Sequence, residues 1–359
     1  MKLGIDVSRY KHDQATGVEW YSKHIIDAML PLINDCPQIE ETYFYSPKDV
    51  NLPLASARFT KRIIPFPRLW TQARLSYEIL TQTPDVLFVP SHTIPVIYPQ
   101  KSVVTIHDTA FKRFKISYSF AQYRYLDWST GFAAKNAHRI IVPSEATKRD
   151  LCGFYKCDEA KIRVIHHGPP DVTRSDVGIE RFGIGNKPYM LFVGRLESKK
   201  NIVYLLDAFM EFAKDHPDWR LVLAGKEGVG SAEIAKKIDE MRANVILTGY
   251  VSEAEKAALY KACEFVVFPS LYEGFGFPIL ESFQHGKPLL TSKGSACEEI
   301  ASSSAIIIDP HDKHAMSEAM KKLAMNEKLK MELVKNGFTR LRDFSWQKAA
   351  EQTLAVLME

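Results

Sequence analysis

No apolar run in this chain of 359 residues approaches the ~18 residues that a membrane-spanning helix needs. The five cysteines are an odd number spread over a long sequence, which argues against a disulfide framework, and the spacing of Cys152 and Cys157 matches no zinc motif. The first apolar run contains Asp6, so no signal-peptide core is expected there. These absences predict a cytoplasmic protein without structural disulfides.

Three motifs of nucleotide and metal binding are absent as well. The sequence contains no Gly-x-Gly-x-x-Gly, so a dinucleotide cofactor is not expected, and no Gly-x-x-x-x-Gly-Lys, so a P-loop ATPase is not expected. No two aspartates are two residues apart, which removes the Asp-x-Asp motif through which many enzymes bind a metal ion together with a nucleotide. We therefore expect neither a cofactor nor a metal site.

The composition is that of a globular protein, with 46% hydrophobic and 25% charged residues. At roughly 150 residues per domain, the length predicts two domains. Charge is uneven, because residues 1–168 carry 22 Lys and Arg against 16 Asp and Glu, while the rest of the chain is mildly acidic. Such a surplus fits a polyanionic or membrane-surface partner, and it fits equally a solvated surface without a partner. Nucleic acid is not an expected partner, because the surplus is small and no recognition motif occurs.

Short β-branched apolar runs alternate with helix-length amphipathic segments along most of the chain. Because these runs are apolar throughout, they are typical of parallel strands covered by helices on both faces. The predicted strands are Leu3–Val7, Thr42–Tyr45, Arg62–Phe66, Val86–Val89, Val103–Ile106, Ile140–Val142, Ile162–Ile165, Met190–Val193, Leu221–Ala224, Val245–Leu247, Phe265–Phe268, Pro288–Thr291 and Ile306–Ile308. The pattern predicts an α/β protein with two Rossmann-like doubly wound domains that face each other across a cleft. The turn-rich residues 167–188 are predicted to connect the two domains. The predicted domains span residues 1–170 and 171–340.

The strongest functional motif follows the predicted strand Phe265–Phe268. Glu273 and Glu281 are separated by seven residues that include two glycines and Pro278, which suits the first turn of a helix. Backbone N–H groups at that helix start can bind a phosphate or a hydroxyl, and the two carboxylates can accept hydroxyls of a ribose or a hexose. Alternatively, Glu281 only favours the helix dipole and the glycines only form a turn. The combination after a buried strand favours the functional interpretation.

Basic residues follow the predicted strand Met190–Val193. Arg195 offers a planar fork of donors and Lys200 a mobile point charge, and both precede a predicted helix. This arrangement suits a diphosphate, whereas a solvated basic turn is the alternative. Because the Asp-x-Asp motif is absent, these cations and helix dipoles would neutralise the diphosphate in place of a divalent ion.

Two residues of the first half are further candidates. His107 ends the predicted strand Val103–Ile106 and can donate to a sugar hydroxyl or move a proton, although a buried histidine bonded to a carbonyl is the commoner outcome. Gly17 stands before the first predicted helix, where it lets a phosphate approach the backbone. A plain helix-entry turn is the alternative there.

The segment from Glu273 to Glu281 resembles the E-x7-E motif of retaining glycosyltransferases of family four, which have the GT-B fold. The resemblance covers essentially the whole chain. Gly194-Arg195-Leu196 with Lys200-Asn201 matches the diphosphate loop of that family, while Thr105–Asp108 and Ile141–Glu145 fall where the family has its amino-terminal signatures. One departure is that a single glycine, preceded by Thr16, stands where the family often has two.

The resemblance implies a role for each of these residues. Glu273 would bind the hydroxyls of the donor sugar, Glu281 the ribose, and Arg195 with Lys200 the diphosphate. His107 would contact the transferred sugar, and Gly17 the phosphates. The backbone of the loop Gly249-Tyr250-Val251 would contact the base. The diphosphate would also accept hydrogen bonds from the backbone N–H groups of Gly274, Phe275, Gly276 and Phe277. A C-terminal helix, within residues 341–359, would cross back onto the N-terminal domain.

The implied reaction is retaining transfer of a hexose from a nucleotide-diphosphate sugar, with GDP-mannose preferred and UDP-sugars as alternatives. Its implied acceptor is a saccharide or a lipid-linked saccharide. The basic and aromatic stretch 58–74, together with Phe111–Lys115, predicts peripheral contact with the inner leaflet of the membrane, while an ordinary helix with extended arginines is the alternative. Two other functions stay open: another nucleotide-sugar enzyme, such as an epimerase or a phosphorylase-like catalyst, and a non-catalytic bilobal sugar-binding protein.

Overall fold

The computed structural model describes residues 1–11, 16–54, 56–172, 177–241 and 244–359. Contacts divide the chain into an N-terminal unit, Met1–Gly168 with Phe344–Glu359, and a C-terminal unit, Pro169–Asp343. The first division lies two residues before the predicted boundary at residue 170, and the second lies three residues after the predicted boundary at residue 340.

The N-terminal unit alternates strands and helices around one parallel sheet. Its elements are β1 (Lys2–Asp6), α1 (Gly17–Asp35), β2 (Glu41–Ser46), β3 (Phe59–Ile63), α2 (Ser76–Thr81), β4 (Val86–Val89), β5 (Lys101–Thr105), α3 (Ala110–Arg113), α4 (Phe120–Asn136), β6 (Arg139–Val142), α5 (Glu145–Tyr155) and β7 (Ile162–Val164). The strand order of this seven-stranded sheet is β3-β2-β1-β4-β5-β6-β7.

The C-terminal unit repeats this plan. Its elements are β8 (Tyr189–Val193), α6 (Ile202–Asp215), β9 (Arg220–Ala224), α7 (Ser231–Glu240), β10 (Val245–Gly249), α8 (Glu253–Ala262), β11 (Phe265–Phe268), α9 (Phe277–Gln284), β12 (Leu289–Ser292), α10 (Ala296–Ala301), β13 (Ile306–Ile308), α11 (Lys313–Met325) and α12 (Glu327–Leu341). The order of the six strands is β10-β9-β8-β11-β12-β13. In both sheets the first strand of the unit is central. The second and third strands lie on one side of it and the later strands lie on the other side, which is the Rossmann order. The prediction of two Rossmann-like domains is confirmed.

Consecutive residues of a central strand pack into different cores, which explains the uninterrupted apolar runs. In β4, Phe88 lies in a cluster with α1, whereas Leu87 and Val89 lie in a cluster with α2 and α4. Edge strand β3 differs, because it is covered less completely and its apolar residues are fewer. For this reason the prediction of a strand at Arg62–Phe66 was shifted by three residues from the observed Phe59–Ile63.

The last helix, α13 (Trp346–Met358), packs against α1 of the N-terminal unit. Ala349, Ala350, Val356 and Leu357 are buried in the same core as the strand residues of β1. The Trp346 ring stacks on His24 and on His167, with centroids 5.0 and 5.9 Å away. The first residue of this helix therefore packs against the end of the segment Met1–Gly168.

The backbone of Gly168 packs closely against Trp346, the first residue of α13. A Cβ added at residue 168 would lie 2.4 Å from the backbone nitrogen of Trp346. We expect Gly168→Ala to lower the free energy of unfolding by about 1–3 kcal/mol, the usual effect of overpacking. Gly153→Ala in α5 is the matched control, since no atom lies within 4 Å of its added Cβ and alanine favours a helix. Urea unfolding measures both variants, and a Gly168→Ala protein as stable as wild type would contradict this packing.

Candidate functional site

The two strongest motifs follow neighbouring strands. β8 pairs with β9 on one side and with β11 on the other, so the direction of the strand order reverses between β8 and β11. In open α/β sheets, ligands bind in the crevice at this reversal, beyond the carboxyl ends of the strands. Loop 194–201 follows β8 and loop 269–276 follows β11, and the Leu271 N–H donates to the Lys199 carbonyl over 2.9 Å. The candidate site therefore lies where these loops meet.

Lys200 and Glu273 are in direct contact. The Lys200 ammonium donates to Oε1 of Glu273 in a short ion pair, and the two side chains are only 13% and 12% exposed. The ammonium also lies 5.3 Å from the centroid of the Phe268 ring. A ligand that carries both an anionic group and hydroxyls would find a partner for each at this pair.

Arg195 is exposed, and within the described part of the chain its guanidinium has no ion pair. Its loop is nevertheless held in place, because the Leu196 N–H donates to the Lys226 carbonyl and the Gly228 N–H donates to the Leu196 carbonyl, both over 2.9 Å. A fixed backbone with an exposed guanidinium, in the same loop as Lys200, suits recognition of an anion.

The glycine turn before α9 has the conformation that the motif predicts. Gly276 has φ 103°, in the left-handed region, and an added Cβ would lie 3.0 Å from Cδ1 of Ile279. Phe275 is buried, and its ring packs edge-on against that of Phe277 at 5.4 Å. The helix begins at Phe277, with Pro278 in its first turn. Glycine is required at residue 276, and the predicted role of the turn N–H groups in ligand binding stays a prediction.

Glu281 is held by two residues that the sequence motifs do not reveal. Its side chain projects from α9, and its carboxylate accepts from the Lys256 ammonium over 2.6 Å and from the Tyr260 hydroxyl over 2.8 Å. Both partners lie on α8, four residues apart, and therefore on one face of that helix. Burial and the Glu281 carboxylate raise the pKa of Tyr260 well above its usual value, so the phenol remains a donor.

The loop after β10 contains Val251, and the predicted contact of its backbone with the base stays a prediction. The Val251 side chain is buried, whereas the neighbouring Tyr250 is exposed. The Lys226 ammonium lies 4.5 Å from the centroid of the Tyr250 ring. Tyr250 is thus the side chain of this loop that is available for stacking.

His107 is buried in the N-terminal unit and hydrogen-bonded to the backbone. Its Nε2 lies 3.1 Å from the Pro90 carbonyl, and its ring packs against Tyr21, His92 and His167. Burial, with a smaller effect of His92, lowers the pKa of His107 to about 3. The ring is therefore neutral at physiological pH. Because the Pro90 carbonyl only accepts, Nε2 carries the proton of the neutral ring and Nδ1 can accept from a hydroxyl but not donate to one. The predicted contact of His107 with the transferred sugar stays a prediction.

Gly17 is the first residue of α1, and the Glu19 side chain caps the N-terminus of this helix. Glu19 Oε2 accepts from the Thr16 N–H over 2.8 Å and from the Thr16 hydroxyl over 3.0 Å. A carboxylate at the helix start repels a phosphate at the same place. The predicted phosphate contact of Gly17 stays a prediction, and Glu19 would have to move for it to form.

Part of the basic stretch 58–74 is held within the N-terminal unit. Arg58 donates to the Ile39 carbonyl over 2.6 Å, Arg74 pairs with Glu78 over 2.9 Å, and Trp70 is buried. None of the described helices has both the length and the apolarity required to cross a membrane. Arg68, Phe66 and Leu69 of the same stretch are nevertheless exposed, so the predicted membrane contact of residues 58–74 stays a prediction.

Within the described residues, no three His, Cys, Asp or Glu side chains gather where they could ligate a metal ion. The two carboxylates of the motif each pair with a lysine, Glu273 with Lys200 and Glu281 with Lys256. The prediction that the reaction needs no metal stays a prediction.

Comparisons with known proteins give a family for both units. The profile described as Glycosyl transferases group 1 matches residues 179–340, and the profile described as Glycosyltransferase Family 4 matches residues 35–170. O-antigen chain mannosyltransferase B of Escherichia coli is 23% identical over 334 residues, which are 90% of this chain and 87% of that protein.

Two solved structures are similar over the whole chain. Sucrose-phosphate synthase of Thermosynechococcus elongatus has a TM-score of 0.74 at 17% identity, covering 100% of this chain and 98% of that one. The Anabaena HepE protein, solved in complex with UDP-glucose, has a TM-score of 0.72 at 16% identity, covering 100% of this chain and 99% of that one. At these identities the likeness shows the fold alone, and that fold is GT-B.

The buried histidines predict that the protein loses stability in acid. The pKa of His107 is about 3 in the folded chain, and burial also lowers the pKa of His92 and His167. Below pH ~6.5 the unfolded chain binds protons that the folded chain does not, so stability falls as pH decreases toward 3. We expect His107→Gln to reduce this slope by up to about 1.4 kcal/mol per pH unit. Urea unfolding between pH 7 and 4 measures the slope, and an unchanged slope would contradict the assignment.

Proposed function

Since this chain is a glycosyltransferase of the GT-B fold, similar to family four, we propose that it is a retaining, metal-independent hexosyltransferase. It uses a nucleotide-diphosphate sugar as donor and a saccharide or a lipid-linked saccharide as acceptor. The observation that carries the proposal is the ion pair of Lys200 with Glu273 at the strand-order reversal of the C-terminal sheet, where the loop of Lys200 also contains the exposed Arg195.

In this proposal the donor replaces internal contacts with its own. The diphosphate binds Arg195 and Lys200 and draws the ammonium away from Glu273, which then accepts hydroxyls of the sugar. Glu281 accepts the hydroxyls of the ribose. GDP-mannose is our preferred donor, because a mannosyltransferase is similar over 90% of the chain. A UDP-sugar is the alternative, since the structurally similar HepE protein holds UDP-glucose.

The chemistry follows from where charge develops. The bond between the anomeric carbon and the β-phosphate oxygen breaks, which leaves negative charge on the phosphate and positive charge on the sugar. Arg195 and Lys200 stabilise the first charge more strongly in the transition state than in the bound donor. The acceptor hydroxyl attacks on the face that the phosphate leaves, and its proton passes to the departing phosphate oxygen, so the anomeric configuration is retained.

The acceptor is proposed to bind the N-terminal unit. A cavity of 630 Å³ lies beyond the carboxyl ends of its strands, lined among others by Arg9, Trp70, His92 and Tyr125. This volume falls within the roughly 300–1,000 Å³ of small-molecule sites. Aromatic rings and polar groups together suit a sugar, whose faces are apolar and whose edge carries hydroxyls.

A lipid-linked acceptor requires contact with a membrane, and one loop of the N-terminal unit suits it. Ile116, between α3 and α4, and Phe120, the first residue of α4, are 91% and 82% exposed. Lys115 and Arg124 lie beside them in sequence. Protruding apolar side chains flanked by bases are typical of proteins that bind an anionic bilayer surface. We therefore propose that this loop makes the membrane contact, at the inner leaflet.

The donor is tested with GDP, UDP, ADP and their sugars. One nucleoside diphosphate should raise the melting temperature, since a ligand at 100 times its Kd stabilises by about 2.7 kcal/mol. Its sugar should be turned over at a rate that EDTA leaves unchanged. Arg195→Ala should weaken diphosphate binding about 10- to 100-fold, the usual effect of losing a charged hydrogen bond. Glu273→Gln should abolish transfer without unfolding the protein.

Arg220→Ala is the matched control, because Arg220 is the first residue of β9 and lies at the amino ends of the strands, opposite the carboxyl ends where the candidate site is. It should bind the diphosphate as wild type does. The proposal fails if no nucleotide binds, if Arg195→Ala binds normally, or if EDTA stops turnover.

The membrane contact is tested by sedimentation with vesicles. Wild-type protein should sediment with phosphatidylglycerol-containing vesicles and not with pure phosphatidylcholine. The double variant Ile116→Ser/Phe120→Ser should partition at least tenfold more weakly, since burying each such side chain contributes about 1.5–3 kcal/mol. Met325→Ser/Met331→Ser, which alters two exposed residues of the C-terminal unit, should sediment normally. Equal sedimentation of all three proteins would remove the loop from the proposal.

A further inference from the structure

Two side chains of α8 bind the carboxylate of Glu281 from one side. The Lys256 ammonium lies 2.6 Å from Oε1 and the Tyr260 hydroxyl 2.8 Å from Oε2, so each carboxylate oxygen has one donor. Glu281 is only 6% exposed, and Tyr260 is fully buried. The carboxylate is thus fixed between two donors inside the fold.

This arrangement leaves defined acceptor sites. An ionised carboxylate has about four lone-pair positions, two on each oxygen. Lys256 and Tyr260 use one position on each oxygen, which leaves one position on each for a ligand. Because the last torsion of a glutamate is soft, donors on both oxygens fix the plane of the carboxylate. Two adjacent hydroxyls, one for each oxygen, are the natural ligand of such a group.

Further contacts hold the two donors in turn. The His285 ring stacks on Tyr260 with centroids 4.9 Å apart and planes 15° apart, and its Nδ1 lies 2.8 Å from the Glu281 carbonyl. Lys256 also pairs with Glu253 over 2.8 Å. The hydroxyl and the ammonium therefore have little freedom to leave Glu281.

Lys256 also balances the charge of Glu281. Burial lowers the pKa of Lys256, but attraction by Glu281 and Glu253 outweighs it and raises the pKa above its usual value. The ammonium is therefore charged at neutral pH. A buried carboxylate without this partner would be costly and would repel an anionic ligand nearby.

We propose that Lys256 and Tyr260 are positioning residues, which orient Glu281 so that its two oxygens accept the 2′- and 3′-hydroxyls of the donor ribose. They thereby make the enzyme select ribonucleotides over 2′-deoxyribonucleotides. The inference rests on the proposed function, in which the ligand is a nucleotide-diphosphate sugar. It goes further by naming the residues that set its ribose specificity.

A purely structural link between α8 and α9 would produce the same contacts, so the test separates the two roles. Binding of GDP and 2′-deoxy-GDP, and in parallel of UDP and 2′-deoxy-UDP, is measured by calorimetry for wild type and Tyr260→Phe. Wild type should prefer the ribose form of the nucleotide it binds by about tenfold or more. Tyr260→Phe should lose most of this preference by weakening the ribose form, while the 2′-deoxy form binds within about twofold of wild type.

Kinetics give a second readout of positioning. Because Glu281 binds a part of the donor remote from the reacting atoms, Tyr260→Phe should raise KM for the nucleotide sugar and leave kcat nearly unchanged. Lys256→Gln should also lower the ribose preference, and it serves in place of Tyr260→Phe if that protein fails to fold.

Tyr189→Phe is the matched control. Tyr189 is a buried tyrosine of the same unit, and its hydroxyl donates over 2.7 Å to the Leu259 carbonyl of α8 and not to the Glu281 carboxylate. Loss of this hydroxyl should lower the free energy of unfolding about as much as Tyr260→Phe does. It should leave the ribose preference at the wild-type value.

The outcomes distinguish this inference from the proposed function. If wild type binds no nucleoside diphosphate, the proposed function fails and the inference fails with it. If wild type binds ribose and 2′-deoxyribose forms equally, or if Tyr260→Phe and Lys256→Gln keep the full preference, the inference is wrong while the nucleotide site stands.

Discussion

The ion pair of Lys200 with Glu273 joins two loops whose residues lie 73 positions apart in sequence. It can form only because β8 and β11 are neighbours, which the Rossmann strand order requires. Two mostly buried charges are costly unless each has a partner. In the absence of a ligand the site is therefore kept intact by opposite charges, and the proposed donor would bring an anion for one of them and hydroxyls for the other.

The sequence predicted the central strands and the main loops because their signals are local. β4 and β11 were predicted with their observed bounds, since strands buried on both faces contain apolar residues at every position. The edge strand β3 was misplaced because Thr60, Lys61 and Arg62 interrupt its apolar pattern. The glycine turn at residues 274–276 was recognised because a left-handed residue next to a helix-starting proline has a distinct sequence signature.

The remaining features depend on packing between segments, which no local pattern encodes. Lys256 and Tyr260 have the spacing of neighbours on a helix, but the sequence does not reveal that this face of α8 meets Glu281. Composition also counts Arg58 as a surface charge, although it donates to backbone carbonyls within the fold. At Gly17, the Glu19 carboxylate changes the electrostatics of a helix start that looked open to phosphate.

The charges of the C-terminal site favour one orientation of the proposed donor. Lys200 balances Glu273 and Lys256 balances Glu281, so each carboxylate is neutralised before a ligand arrives. Arg195 is the cation of this loop pair with an exposed side chain, and it therefore supplies the attraction for a diphosphate. Once the phosphates engage Arg195 and Lys200, Glu273 loses its counter-charge and becomes the stronger hydroxyl acceptor. Binding of the anionic half of the donor would thus prepare the site for the sugar half, whereas Glu281, still paired with Lys256, would keep the geometry that ribose requires.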